Sequence, residues 1–214
     1  MYWALLIMVV LGLLAWVFRR ERMDRQGLLS HARARGWGVE EDGGHLRLFP
    51  ADRRWLIEVV ATPLSTTWIA TAPVLDGLLA VRAGPPLPGG VTHLGNSFVQ
   101  TLLRRALIEM CGEDPGQATP IHMVAVGEPV FDATHTVITT APELARLLTP
   151  EVQSLLRAWP AGLVVPDFVY WRRGLRLGIV GKVNRLPESL DALVQTGEGL
   201  AAIKPLAVTS PKLP

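Results

Sequence analysis

One cysteine, Cys111, stands among 214 residues. No intrachain disulfide can form, and no cysteine-rich metal site can be assembled. A single thiol fits a reducing compartment, and Cys111 ends an apolar helical stretch where a buried, unreactive thiol is expected. Lysine is scarce too, the first being Lys182. A phosphate-binding loop needs glycines, a lysine and then Ser or Thr, but Gly181-Lys182 is followed by Val183. Excess charge is missing from most of the chain. Four of the 21 basic and two of the 19 acidic residues fall within residues 19–25, leaving 17 of each sign elsewhere. A body neutral by formal count argues against a nucleic-acid partner, despite an overall pI near 9.0.

The constellations that carry catalysis are also missing. His31, His45, His93, His122 and His135 show neither i, i+4 spacing nor an H-E-x-x-H setting, so no metal is expected. There is no G-x-S-x-G elbow, and Ser97 reads as a helix cap. The carboxylate pairs Glu40–Glu41 and Glu113–Asp114 are adjacent in polar turns and need not converge. Gly197-Glu198-Gly199 opens a loose G-x-G-x-x-A pattern ending at Ala202. No strand precedes it, and too little chain follows for a second nucleotide-binding unit. No cofactor and no catalytic residue is assigned; an enzymatic role is disfavoured but left open. Its best remaining candidates are His122, Asp132 and His135, which a fold could bring together.

What the chain does contain is a membrane signal. Residues 2–18 (YWALLIMVVLGLLAWVF) form an uncharged run of 17 residues. A helix of that length reaches about 25 Å against a hydrocarbon core of ~30 Å, the short end of the spanning range. Tyr2 and Trp3 at one end and Trp16 at the other match the aromatic preference for the two interfaces. Arg19, Arg20, Arg22 and Arg25 follow the run, and nothing basic precedes it except the amino terminus. A cleaved signal peptide carries its charge before the apolar stretch and a small-residue cleavage site after it, so an uncleaved anchor is expected. Basic residues stay on the cytoplasmic side, so the amino terminus is expected outside and residues 19–214 inside.

Residues 1–22 are thus read as anchor and basic collar, 23–204 as a cytoplasmic α+β domain and 205–214 as a loose tail. The expected fold is antiparallel sheet packed with helices. Residues 24–35 read as a short helix. Trp37–Glu41, His45–Phe49, Trp55–Ala61 and Thr66–Ala70 read as strands of a meander, with a hairpin at Asp42-Gly43-Gly44. The run W-L-I-E-V-V-A is nearly continuous in apolar residues, as in a strand central to its sheet. Gly84–Gly90 breaks both helix and strand. It is either a surface connection or a hinge between lobes 23–83 and 91–204. A helix is expected over Ser97–Met110, with an S-x-x-Q capping box and Val99, Leu102, Leu103, Ala106, Leu107 and Met110 on its apolar face. Strands then follow at Ile121–Val126 and Val130–Thr140, and helices open at Thr140 and Thr149. A hairpin turns at Arg172-Arg173-Gly174, and a last helix runs over Leu186–Ile203.

Trp171-Arg172-Arg173, together with Arg53-Arg54-Trp55, forms the one basic-aromatic pattern suited to gripping a partner's acidic patch or lipid headgroups. In the plainer alternative both tryptophans pack inward and the arginines solubilise their loops.

The stretch Phe131–Leu156 (FDATHTVITTAPELARLLTPEVQSLL), followed by the V-Y-W-R-R-G-L-R-L-G-I-V hairpin, resembles uncharacterised bacterial membrane-anchored proteins. In these a strand leads into a helix and an L-T-P-E turn, and a G-W dipeptide, here Gly36-Trp37, follows the anchor. The resemblance covers about a quarter of the chain and implies a single-pass inner-membrane protein with a cytoplasmic α+β domain. It implies no functional residues. The expected role is therefore non-enzymatic binding or scaffolding of a protein partner at the bilayer, within a larger inner-membrane assembly. The alternatives are a tethered enzyme or a ligand or lipid sensor.

Overall fold

The computed structural model describes residues 25–61, 64–73, 75–85, 96–116, 119–172, 174–181 and 186–204. The anchor run with Trp3 and Trp16, the collar residues Arg19, Arg20 and Arg22, the loop beyond Pro85, Arg173 and the tail 205–214 lie outside these residues. Among the described residues no helix is long and apolar enough to cross a membrane.

A first helix, α1, covers residues 25–34. It turns at Gly36 into a meander of β1 (Gly38–Asp42), β2 (His45–Phe49), β3 (Trp55–Ala61) and β4 (Leu64–Ala70). Then come β5 (Leu79–Ala83), α2 (Asn96–Cys111), β6 (His122–Val124), α3 (Pro129–Thr134) and β7 (His135–Thr139). A 3-10 helix (Pro142–Leu147), α4 (Pro150–Arg157), the hairpin β8 (Asp167–Trp171) and β9 (Gly174–Val180), and α5 (Leu186–Ala202) complete the fold. The nine strands among the described residues join one antiparallel sheet in the order β1-β2-β3-β4-β9-β8-β5-β7-β6. The α+β class and the meander follow the reading of the sequence. Strands from either side of the Pro/Gly-rich loop pair directly, β4 with β9 and β5 with β8 and β7.

The sheet has two unequal coats. On one face Leu48, Ile57, Trp68, Phe168, Tyr170 and Leu177 meet Leu28 and Ala32 of α1, Val152 and Leu156 of α4, and Leu190, Leu193 and Leu200 of α5. Each fully buried large side chain there contributes roughly 1.5–3 kcal/mol. On the other face a smaller core of Ala80, Ile138, Val169 and Trp171 lies under Leu103, Leu107, Met110 and Cys111 of α2. Helix α2 crosses the strands. Gln100, near its start, exchanges hydrogen bonds with both main-chain groups of Ile121 just before β6 (2.7 and 3.1 Å). Its last carbonyl, at Cys111, accepts from Arg176 of β9 at 2.8 Å.

The glycines that fit the loose nucleotide-binding pattern have a packing cause. A Cβ at Gly197 would lie 2.5 Å from the Trp68 indole, and one at Gly199 would touch Leu155. They let α5 close onto β4 and α4.

Three local expectations are corrected. Residues 130–134 are helical: the Glu128 carboxylate caps α3 by accepting from Val130 and Phe131 N–H, and Pro129 occupies its first turn, so the strand starts at His135. The segment after Thr140 is a 3-10 helix without a side-chain cap, because the Thr140 hydroxyl instead accepts from Leu78 N–H at 2.8 Å. In α2, Ser97 lies inside the helix, Gln100 is used by Ile121, Leu102 is 38% exposed and Arg104 folds onto the loop carrying Asp114.

Candidate functional site

The histidine–aspartate candidate does not assemble. His122 is opposite Thr139, which lies four residue steps along β7 from His135, about 13 Å at strand rise. The Asp132 carboxylate accepts from Val126 and Gly127 N–H, both at 2.9 Å, and pins the turn into α3. His135 stacks on Phe131 with centroids 4.3 Å apart, and burial lowers its pKa. These contacts are local and structural. Among the described residues no three His, Cys, Asp or Glu side chains group as metal ligands would. Burial pushes the Cys111 thiol up to about 12, so it holds almost no thiolate at neutral pH.

The basic-aromatic residues come to one end of the sheet. The register Trp55–Ala70–Leu175–Tyr170 places the start of β3 and the β8–β9 turn at the same end. Trp55 and Trp171 are buried there, on opposite faces. Trp55 donates to Glu198 of α5 at 2.8 Å, and Arg54 pairs with the same carboxylate at 2.6 Å. Arg53 pairs with Glu40 and lies over the Phe49 ring. Arg172 is exposed and leans on the Trp171 ring, 5.5 Å from its centroid. Two of the three described arginines are thus spent within the fold.

Arg25, the collar residue that is described, pairs with Glu41 at the opposite end of the sheet. Helix α1 then returns along the meander. His31 and Arg35 both bind Asp191 of α5, at 2.9 and 2.5 Å. Burial alone would raise the Asp191 pKa, but the hydrogen bonds from Arg35 and His31 outweigh it and hold the carboxyl below its usual range.

The other candidate surface is the half of the sheet that α2 does not reach. Among the described residues no helix covers β1 to β4 on that face. A row of residues in register crosses it: Glu40, Arg47, Glu58, Thr67, Gly178, then Asp167. Arg47 pairs with Glu58 at 3.3 Å. At the far end Arg82 grips Asp167 through two nitrogens, at 2.8 and 3.0 Å, and reaches Glu109 of α2 at 3.6 Å. Beside this row lie Phe49, Leu56 and Ile69 on one flank and Val60 and Val180 on the other. None of these five belongs to either buried core. The apolar run W-L-I-E-V-V-A is central in its sheet as its composition suggests, with β2 and β4 on either side. Among the described residues helices cover β3 on one face, and the sequence carried no signal for which face is open.

A second feature is an open cleft of about 510 Å³ between the turn after β6 and the start of α4. Glu128, Arg146, Thr149, Gln153 and Arg157 line it, beside Val126 and Leu148. Glu128 is occupied as the α3 cap, and Arg157 approaches it at 3.5 Å.

No protein-family model matches the chain, and no curated protein does. Among solved structures the chain is similar to the mycobacterial trehalose monomycolate transport factor A, TtfA, at 13% identity. The match covers 86% of this chain and 94% of that one, with a TM-score of 0.47.

Proposed function

We propose that the chain is a single-pass inner-membrane protein whose α+β domain binds a protein partner on the bare half of its sheet, as a non-enzymatic component of a larger assembly. The observation that carries this reading is the mismatch at β3. A strand apolar on both sides belongs under two coats, yet half-buried Leu56, opposite Ile69 of β4, and Val60, opposite Ser65, lie on the face that no described helix covers. A partner laid there gains about 25 cal/mol for each Å² of apolar area removed from water. The charged row of Arg47 and Glu58 fixes its orientation, since mispaired charges cost more than matched ones gain.

Native purification in mild detergent at endogenous levels, followed by mass spectrometry, tests this. A partner is expected in fixed ratio with the wild-type chain. Ile69→Asp should lose it while the far-ultraviolet circular dichroism stays unchanged. Recovery of the bare protein alone, or of the same partner with Ile69→Asp, rejects the reading.

The cleft supports a second reading, a ligand sensor. Arg146 makes no ion pair among the described residues and points this reading to a small carboxylate or phosphate. Inorganic phosphate that leaves the thermal midpoint unchanged in wild type and Arg146→Ala alike would remove it.

A further inference from the structure

Among the described residues eight large apolar side chains are exposed, and they are not scattered. Phe98, Leu102 and Ile108 lie on α2; the other five are Leu64, Val130, Val164, Val165 and Val180. Leu64 opens β4 and Val180 ends β9, and the two are tied by a hydrogen bond from Gly181 N–H to the Leu64 carbonyl. Val164 and Val165 lead into β8, whose first residue, Asp167, is opposite Gly178. Val130 belongs to α3, which runs into β7 where His135 is opposite Ala83. All five therefore stand at one end of the sheet, from β4 across to β7. That is the end at which Glu41 holds Arg25.

We infer that this apolar end is seated on the lipid bilayer, with the Arg53, Arg54 and Arg172 end turned away from it. The inference rests on the membrane-anchor reading of residues 2–18. Only residues 19–24 lie between that run and Arg25, seven residue steps or at most about 25 Å even if fully extended. Arg25 is held by Glu41 at the Leu64–Val180 end, and the Trp55–Tyr170 end is a further ~17 Å away along strand β3. The tether therefore attaches at the Leu64–Val180 end. The carboxylates near the patch do not oppose contact with anionic lipid. Asp132 is held by main-chain N–H groups, Glu128 caps α3 and faces Arg157, and Glu41 holds Arg25. Asp42 lies on the outermost strand, three strands from Leu64. Isolated valines and leucines are ordinary on a surface, but five gathered at the tethered end make a shallow hydrophobic foot.

The test uses the full chain reconstituted in phosphatidylethanolamine–phosphatidylglycerol vesicles. A bimane fluorophore is attached at Val165→Cys, Val180→Cys or, at the distal end, Arg172→Cys. Native Cys111 is buried and stays unlabelled. A nitroxide lipid quencher placed just below the headgroups should reduce emission about twofold at 165 and 180, as for groups within ~10 Å of the acyl boundary, and leave 172 unchanged. Washing the same vesicles with alkaline carbonate separates the two readings. Protein retained but unquenched at 165 and 180 overturns the seating and leaves the anchor standing. Protein released by carbonate overturns the anchor and the seating with it. Labels shielded from soluble iodide yet untouched by the lipid nitroxide show a protein covering this end, and also reject the inference.

Discussion

Gly197 shows how a single atom decides packing. Its missing Cβ is the space that the Trp68 ring fills, and Trp68 is fully buried against α5. Gly197→Ala forces a methyl group into that ring, and overpacking of this kind costs about 1–3 kcal/mol. A chain of this size should lose several degrees of thermal midpoint, at roughly 2–4 °C per kcal/mol. Circular dichroism melting of the two proteins checks it, and an unchanged midpoint would mean that the helix–sheet contact is looser than described. Gly174 is stricter: its φ is +95°, and a Cβ would lie 2.2 Å from the Ala70 carbonyl oxygen. Cys111 makes a chemical prediction. With its pKa raised to about 12, the thiol should resist Ellman's reagent at neutral pH in the folded chain and react at once in denaturant. The buried, inert thiol was legible in the sequence from its place at the end of an apolar helix. The packing role of Gly197 was not, because its partner lies on a strand more than a hundred residues away.

Helix α3 and strand β5 show which elements resist sequence reading. Glu128-Pro129 is a helix start, a capping carboxylate followed by proline in the first turn. The β-branched residues of Val130–Thr140 obscured it. Removing the cap by Glu128→Ala should cost about 0.5–2 kcal/mol, seen as a lower denaturation midpoint in urea. Strand β5, L-A-V-R-A, is too short and alanine-rich to declare itself. It is a strand because β7 and β8 pair with it on both sides, and that information is tertiary. The meander, by contrast, was legible, since Asp42-Gly43-Gly44 sets a turn between runs of strand character. The α1–α5 clamp gives a pH prediction. Asp191 titrates below its unfolded value near 3.8, so its contribution is fully present above that pH and fades as pH falls through the lower folded value. Asp191→Asn should therefore be less stable than wild type at neutral pH, with the gap closing in acid below about pH 4. A gap that persists unchanged at low pH would show that Arg35 and His31 do not act through the carboxylate charge.

The nine-stranded sheet is asymmetric in both directions. Across its faces, one is coated by α1, α4 and α5, while among the described residues the other is covered only by α2, and the half beyond α2 carries Leu56, Val60 and Ile69 around the Arg47–Glu58 pair. Along its strands, the end where Glu41 holds Arg25 also gathers exposed valines and a leucine from β4 onward, and the other end holds arginines already engaged by Glu40 and Glu198. The proposed arrangement uses both asymmetries: in it the apolar end meets lipid and the face beyond α2 receives a partner. The anchor and its arginine collar are readings of the sequence alone. The sequence also grouped the basic-aromatic residues, and the strand register brings Arg53, Arg54 and Arg172 to one end of the sheet, opposite the end where Glu41 holds Arg25. The placement of the whole domain is tested by adding protease to intact spheroplasts that carry the chain with a carboxy-terminal epitope. The epitope and the folded domain should survive until the membrane is permeabilised. Digestion of the domain in intact spheroplasts would put it on the outside and refute the anchored, inward-facing arrangement.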